Sequence, residues 1–164
     1  MVVKPDAVPA GVKYDAITFN DVFEHLPNLS VIVTAVRHHL NENGILIINL
    51  PVSDGIFFKI ARCLARLRAD GPMSRMWQKG LPSPHLSYFS RRTVPQLLLR
   101  HGFELVHAHD LPSVSINGLY DRIRYDKNLG PLKAAVILLA ASALVPLMTF
   151  MPSDSRYFVF RKTS

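Results

Sequence analysis

One stretch constrains this chain more than any other: Tyr14-Asp15-Ala16-Ile17-Thr18-Phe19-Asn20-Asp21-Val22-Phe23-Glu24-His25-Leu26. Ala16, Ile17 and Phe19 are apolar and Thr18 is β-branched, which predicts a buried strand over Tyr14–Phe19. Asn20-Asp21 ends that strand. A polar cluster of Asn20, Asp21, Glu24 and His25 follows it. Open α/β sheets bind their ligands just outside the carboxyl ends of strands, so these four side chains are the first candidates for a binding site.

The segments that follow supply the rest of such a sheet. Before the strand, Pro5, Pro9 and Gly11 predict a loop. After it, Asn28 or Ser30 can cap a helix whose Leu29, Ile32, Val33, Val36 and Leu40 share one face. Asn43-Gly44 is expected to stop that helix, with the glycine in the left-handed turn. Ile45–Leu50 is a continuous apolar run, as in a strand buried on both faces. Asp54 is the expected cap of a second helix reaching about Arg68. Its apolar face is Phe57, Ile60, Ala61, Leu64 and Leu67, and the Phe57-Phe58 pair is expected in the core. Asp70-Gly71-Pro72 breaks it, and Met73–Ser90 reads as a long connection carrying Trp77, Gly80, Pro82, Pro84 and His85. Connections this long in a compact domain often serve as lids or substrate loops. Ser90 or Thr93 caps a third helix. Pro95 favours Thr93, because proline is tolerated in a first turn. His101-Gly102 ends it, Phe103–Ala108 is a strand, and Tyr157–Phe160 is the last one. Alternation of strands and helices predicts a mainly parallel sheet.

Composition narrows the partners. With 164 residues, 49% hydrophobic and 19% charged, the chain suits one globular domain. Cys63 alone excludes an internal disulfide framework, which agrees with a cytoplasmic protein. The net charge of +7 is concentrated: Lys59, Arg62, Arg66, Arg68, Arg75, Lys79, Arg91, Arg92 and Arg100 face a single acid, Asp70, between Ile56 and His101. That stretch suits anionic lipid headgroups, phosphorylated substrates or nucleic acid, or is a solvated helix face. Nucleic acid is not expected, since beside Trp77 and Tyr88 there is little aromatic interleaving of the arginines and no recognition motif. Residues 131–151 form an apolar segment with Pro146 inside it. It is expected as a helical insertion packed on the sheet or lying at a membrane interface. The strand after it must rejoin the sheet, which argues against a span. Together with the basic stretch it makes peripheral membrane contact an expectation.

Four blocks, in order, resemble the class I S-adenosylmethionine-dependent methyltransferases. They are the Tyr14–Leu26 stretch, Leu40-Asn41-Glu42-Asn43-Gly44-Ile45-Leu46-Ile47-Ile48, Ser83-Pro84-His85-Leu86-Ser87-Tyr88-Phe89-Ser90 and Leu99-Arg100-His101-Gly102-Phe103-Glu104. The resemblance implies an α/β fold with a partial Rossmann-like sheet. Its strands would be the family's fourth to seventh with their flanking helices, the last antiparallel. It implies S-adenosyl-L-methionine as cofactor, with Asn20 and Asp21 beside its methionine part and Glu24 and His25 lining the cofactor or substrate cleft. His85, in the long connection that can serve as a lid, is the candidate catalytic residue, contacting substrate or acting as a base toward a small-molecule or lipid-linked methyl acceptor. A sulfonium cation with an amino-acid tail suits short polar side chains and carboxylates. The plainer alternatives are helix caps for Asp21 and Glu24, a hydrogen-bonded structural histidine for His25 and a loop anchor for His85. His107 and His109 share a strand face without an acidic or cysteine partner in sequence, so no metal site is expected there. The family's glycine-rich cofactor loop has no counterpart. The glycines stand at 11, 44, 55, 71, 80, 102, 118 and 130. A single incomplete methyltransferase domain over 1–164 is therefore expected, with weak cofactor binding. The alternative is a non-catalytic, methyltransferase-like binding or partner subunit.

Overall fold

The computed structural model describes residues 11–112, 139 and 151–163. Its elements are β1 (Tyr14–Asn20), a 3-10 turn (Phe23–His25), α1 (Leu29–His39), β2 (Leu40–Pro51), α2 (Ile56–Arg66), α3 (Gly71–Met76), α4 (Thr93–Leu99), β3 (Phe103–Leu111) and β4 (Ser155–Lys162). The four strands form one sheet in the order β1-β2-β4-β3. β1 and β2 are parallel, and β4 runs antiparallel to both its neighbours. The expected partial Rossmann-like sheet with an antiparallel last strand is therefore present. Mainly parallel pairing is not, because β4 inserts between β2 and β3 and leaves one parallel pair.

The core lies on one face of the sheet. Leu46, Ile48 and Leu50 of β2 and Phe158 and Phe160 of β4 meet Val33 and Val36 of α1 and Val94 and Leu98 of α4. Ile45, Ile47 and Asn49, on the other face of β2, are half-buried, so this strand is not enclosed on both faces as its apolar run predicts. Among the described residues β1 is an edge strand, as expected of the first strand of a partial sheet. It is not buried as its apolar run predicts, with Tyr14, Ala16 and Thr18 exposed and only Ile17 and Phe19 half-buried. An apolar run reports what a strand can bury, but an edge has no second neighbour to cover it.

Tertiary contacts also replace several local signals. β2 starts at Leu40, directly after α1. The left-handed residue there is Asn43 (φ 63°), not Gly44. Gly44 is needed for space, since a Cβ would lie 2.9 Å from the Asn41 carbonyl oxygen. Asp54 does not cap α2. It accepts from the Arg91 amide (3.3 Å) and pairs with its guanidinium (3.4 Å). The cap comes from the distant Asp154, whose Oδ1 accepts from the amides of Phe57 (2.8 Å) and Phe58 (3.1 Å). α2 then buries Phe58 and Ala61 and leaves Phe57, Ile60 and Leu67 exposed. Residues 71–76, expected as loop, form α3 with a proline in its first turn. Ser90, not Thr93, caps α4. Its Oγ accepts from the Thr93 amide (3.1 Å) while the Ser90 amide donates to Thr93 Oγ1 (2.8 Å), a reciprocal pair like a capping box.

Arg91 leaves the basic face for an internal role. It bonds Asp110 (3.1 Å) and the Ser153 carbonyl (3.0 Å), tying α4's entry to β3 and the start of β4. The other eight cations of the basic stretch are exposed. The apolar segment 131–151 lies outside the described residues apart from Leu139 and Met151. Among the described residues no helix is long and apolar enough to cross a membrane.

Gly102 carries one test of this packing. Its φ is +74°, and a Cβ there would meet Arg37 Nε at 2.7 Å. The Arg37 guanidinium in turn donates to the Thr163 carbonyl at 2.9 Å, which joins α1 to the end of β4. Gly102→Ala is expected to lose about 1–3 kcal/mol in urea denaturation, from left-handed strain on a side chain that has little room.

Candidate functional site

The register of β1 and β2 sets Asn20 opposite Asn49, so the carboxyl ends of the two parallel strands are level. The chain turns there. Asp21 takes φ +50°, which aspartate tolerates, and its amide donates to the Asn49 carbonyl at 2.9 Å. The Asn20 and Asp21 side chains are exposed on this rim. Phe23 then drops into the core, with its ring 5.7 Å from Phe19 and 5.6 Å from Phe89. The tight 3-10 turn carries Glu24 inward with it, to 1% exposure.

The connection before α4 closes over this turn. The amides of Leu86 (2.9 Å) and Ser87 (3.1 Å) both donate to the Glu24 carbonyl. The His85 amide donates to the Trp77 carbonyl at 3.2 Å. His25 Nδ1 lies 2.9 Å from the Pro84 carbonyl. A carbonyl only accepts, so Nδ1 carries the proton and the neutral ring's free lone pair is on Nε2. That Nε2 is 3.9 Å from Glu24 Oε1, and His85 Nε2 is 4.0 Å from the same oxygen. The two imidazoles meet edge to face with centroids 4.6 Å apart. Glu24 Oε2 and His85 Nδ1 are buried without a hydrogen-bond partner.

This environment disfavours charge. Burial holds the Glu24 carboxyl above its usual range, against the lowering effects of its own backbone amide and of His25. Burial first, and then His25, pushes the His85 imidazole down, so it is neutral near pH 7. Tyr88 sits against Phe58, Trp77 and His85. Burial and the Glu24 carboxylate push its phenol up to about 12, which keeps it a hydroxyl.

Of the residues singled out in sequence, the fold brings Glu24, His25 and His85 together and leaves Asn20 and Asp21 on the adjoining rim. Neither Asp21 nor Glu24 caps α1, whose N-cap position is Asn28 and has no side-chain cap. His25 is anchored through Nδ1, whereas His85 Nδ1 is buried without a hydrogen-bond partner. His107 and His109 stack 6.5 Å apart on exposed β3, with Tyr157 Oη 3.2 Å from His107 Nε2. No carboxylate or cysteine joins them in a metal-sized group among the described residues.

Residues 2–108 match a family model described as "Methyltransferase domain". The chain belongs to this methyltransferase family. No curated protein matches the methyltransferase chain by sequence. Solved structures with its fold include a cyclopropane synthase of Mycobacterium tuberculosis, with a TM-score of 0.57 and 15% identity over 92% of this chain and 56% of that one. A second is phosphoethanolamine N-methyltransferase 2 of Haemonchus contortus, solved with phosphomonomethylethanolamine and S-adenosylhomocysteine. Its TM-score is 0.56, with 11% identity over 99% of this chain and 37% of that one. A third is magnesium protoporphyrin IX methyltransferase of Synechocystis PCC 6803 with bound S-adenosylhomocysteine, with a TM-score of 0.52 and 12% identity over 99% and 50%. The methyltransferase chain thus spans between about a third and just over half the length of these structures.

Sequence reasoning treated His25 and His85 one at a time and tested only His107 and His109 for metal binding. It also passed over Tyr88 as a wall of the site. The available signal was that Glu24-His25 and His85 both lie in blocks resembling the family, and polar residues in such blocks tend to converge on one site.

Proposed function

We propose that this chain supplies the methionine-side and acceptor-side half of an S-adenosylmethionine-dependent methyltransferase site, for a small-molecule or lipid-linked acceptor. The observation that carries the reading is the level pair of parallel strand ends, with Asn20 and Asp21 exposed beside the covered Glu24. Neither rim side chain hydrogen-bonds another described residue, so both can meet a ligand. A carboxylate and an amide suit the cofactor's ammonium and sulfonium end. The cofactor, when bound, supplies an electrophilic methyl on sulfur. Methyl transfer then needs mainly in-line positioning. His85, kept neutral by burial, stands on the acceptor side of the same turn with a lone pair to offer. The likeness to structures holding S-adenosylhomocysteine supports the choice of cofactor.

No glycine-rich loop is available to hold the ribose and adenine. Binding by this chain alone is therefore expected to be weak, with Kd of about 1 mM or higher. Titrating S-adenosylhomocysteine into 15N-labelled chain tests the reading. Amide shifts should concentrate at Asn20, Asp21 and Asn49 and disappear in Asp21→Ala. Shifts elsewhere, with none on this rim, would sink it. The partner-subunit reading draws on a separate observation, the exposed edge of β1. Concentration-dependent amide protection along Ala16 and Thr18 without any ligand shift would favour it.

A further inference from the structure

We infer that Glu24, His25 and His85 bind one divalent first-row transition-metal ion. This goes beyond methyl transfer, and its test reads the ion and not the reaction.

The three side chains each offer a ligand atom, and all three atoms lie within 4.8 Å of one another. Both histidine Nε2 atoms stand about two metal–ligand bond lengths from the same carboxylate oxygen, at 3.9 and 4.0 Å. Neither distance is a hydrogen bond. A tetrahedral metal with bonds of about 2.0–2.2 Å holds its ligands roughly 3.3–3.6 Å apart, so small side-chain rotations close the site.

The arrangement is otherwise unexplained. Glu24 is 1% exposed, yet its Oε2 has no partner, and neither has His85 Nδ1. Buried polar atoms without partners are costly and uncommon. Three polar side chains converging without bonding each other are what a binding site for a small cation requires. His25 is also oriented as a metal ligand usually is. Its Nδ1–H is committed to the Pro84 carbonyl, which fixes the tautomer and aims the Nε2 lone pair inward. The backbone holds both sides in place, since the Glu24 carbonyl takes the Leu86 and Ser87 amides next to His85.

Two imidazoles and one carboxylate select the class of ion. That donor set suits zinc, manganese, iron, cobalt or nickel, whereas magnesium and calcium prefer oxygen ligands alone. Three protein ligands leave at least one position open to water or to an oxygen of the methyl acceptor. With the ion bound, the His85 lone pair is a ligand and no longer a base.

The test uses tag-free, metal-depleted chain and the ions alone. Cobalt(II) titration followed by visible absorption, and zinc(II) calorimetry, should each show one ion per chain. Glu24→Gln and His85→Ala should weaken binding by at least about tenfold, while the double variant His107→Ala, His109→Ala should leave it unchanged. Zinc should raise the melting temperature of the wild type and not of Glu24→Gln. If His85→Ala does not fold, His25→Ala, at a more exposed position, replaces it. X-ray absorption at the zinc edge of the wild-type chain, which needs no variant, should count two imidazoles. Absence of binding, binding that survives the Glu24 and histidine site variants, or a zinc shell without two imidazoles would overturn the inference.

Discussion

Phe160→Ala is expected to lower the unfolding free energy by about 3–5 kcal/mol, the range for truncating a buried phenylalanine. Phe160 is fully buried in β4. In register it faces Leu46 of β2 on one side and Leu105 of β3 on the other, and its ring stacks 6.1 Å from Phe158. β4 is the strand through which β3 joins the sheet, so a cavity at Phe160 loosens both of its pairings at once. Urea denaturation read by circular dichroism measures the loss. Phe160→Leu, which keeps most of the volume, should cost clearly less. Leu99→Ala, at an exposed position of α4, should stay within about 0.5 kcal/mol. A cost below about 1 kcal/mol for Phe160→Ala would contradict the central place of β4 in the core.

Gly55→Ala should be the most damaging single-methyl change, at about 2–4 kcal/mol. A Cβ at Gly55 would lie 2.3 Å from Asp154 Oδ1 and 2.5 Å from Asp154 Cα. The side-chain oxygen could swing away, but the backbone atom cannot. The same oxygen caps α2 through the amides of Phe57 and Phe58. The added methyl therefore overpacks the contact, at about 1–3 kcal/mol, and removes the cap, at about 0.5–2 kcal/mol. Asp154→Ala alone should cost about as much as a lost cap. The double variant should cost less than the two single changes added together, because both act on one contact. Additive losses would mean that Gly55 and Asp154 stabilise the protein independently.

The two variants mark where sequence reading works. Phe160 was legible, since Tyr157–Phe160 reads as an apolar strand whatever surrounds it. The Asp154 cap was not. It reaches α2 from almost a hundred residues away, and the nearer Asp54 offered the stronger local signal. A helix N-terminus takes the acceptor that the fold delivers, and Asp54 was already held by Arg91. Ser90 and Thr93 were a closer choice, three residues apart, and only the folded geometry separated them.

The candidate site divides in the same way. Asn20, Asp21, Glu24 and His25 could be named from one stretch, because a strand that ends in short polar residues is a local pattern. The family could be named from four such stretches in order. Local chemistry therefore determined the alternation of elements, the carboxyl-end cluster and the class of fold. It could not determine that Glu24 is buried while Asp21, three residues before it, is exposed. That difference arises because Phe23 anchors the turn in a core built by β2, β4 and α4. Nor could it bring His85 to the oxygen that His25 faces, since that depends on the Leu86 and Ser87 amides closing onto the Glu24 carbonyl. Sequence spacing governs neighbours on one element; the meeting of Glu24, His25 and His85 is a property of the packed molecule.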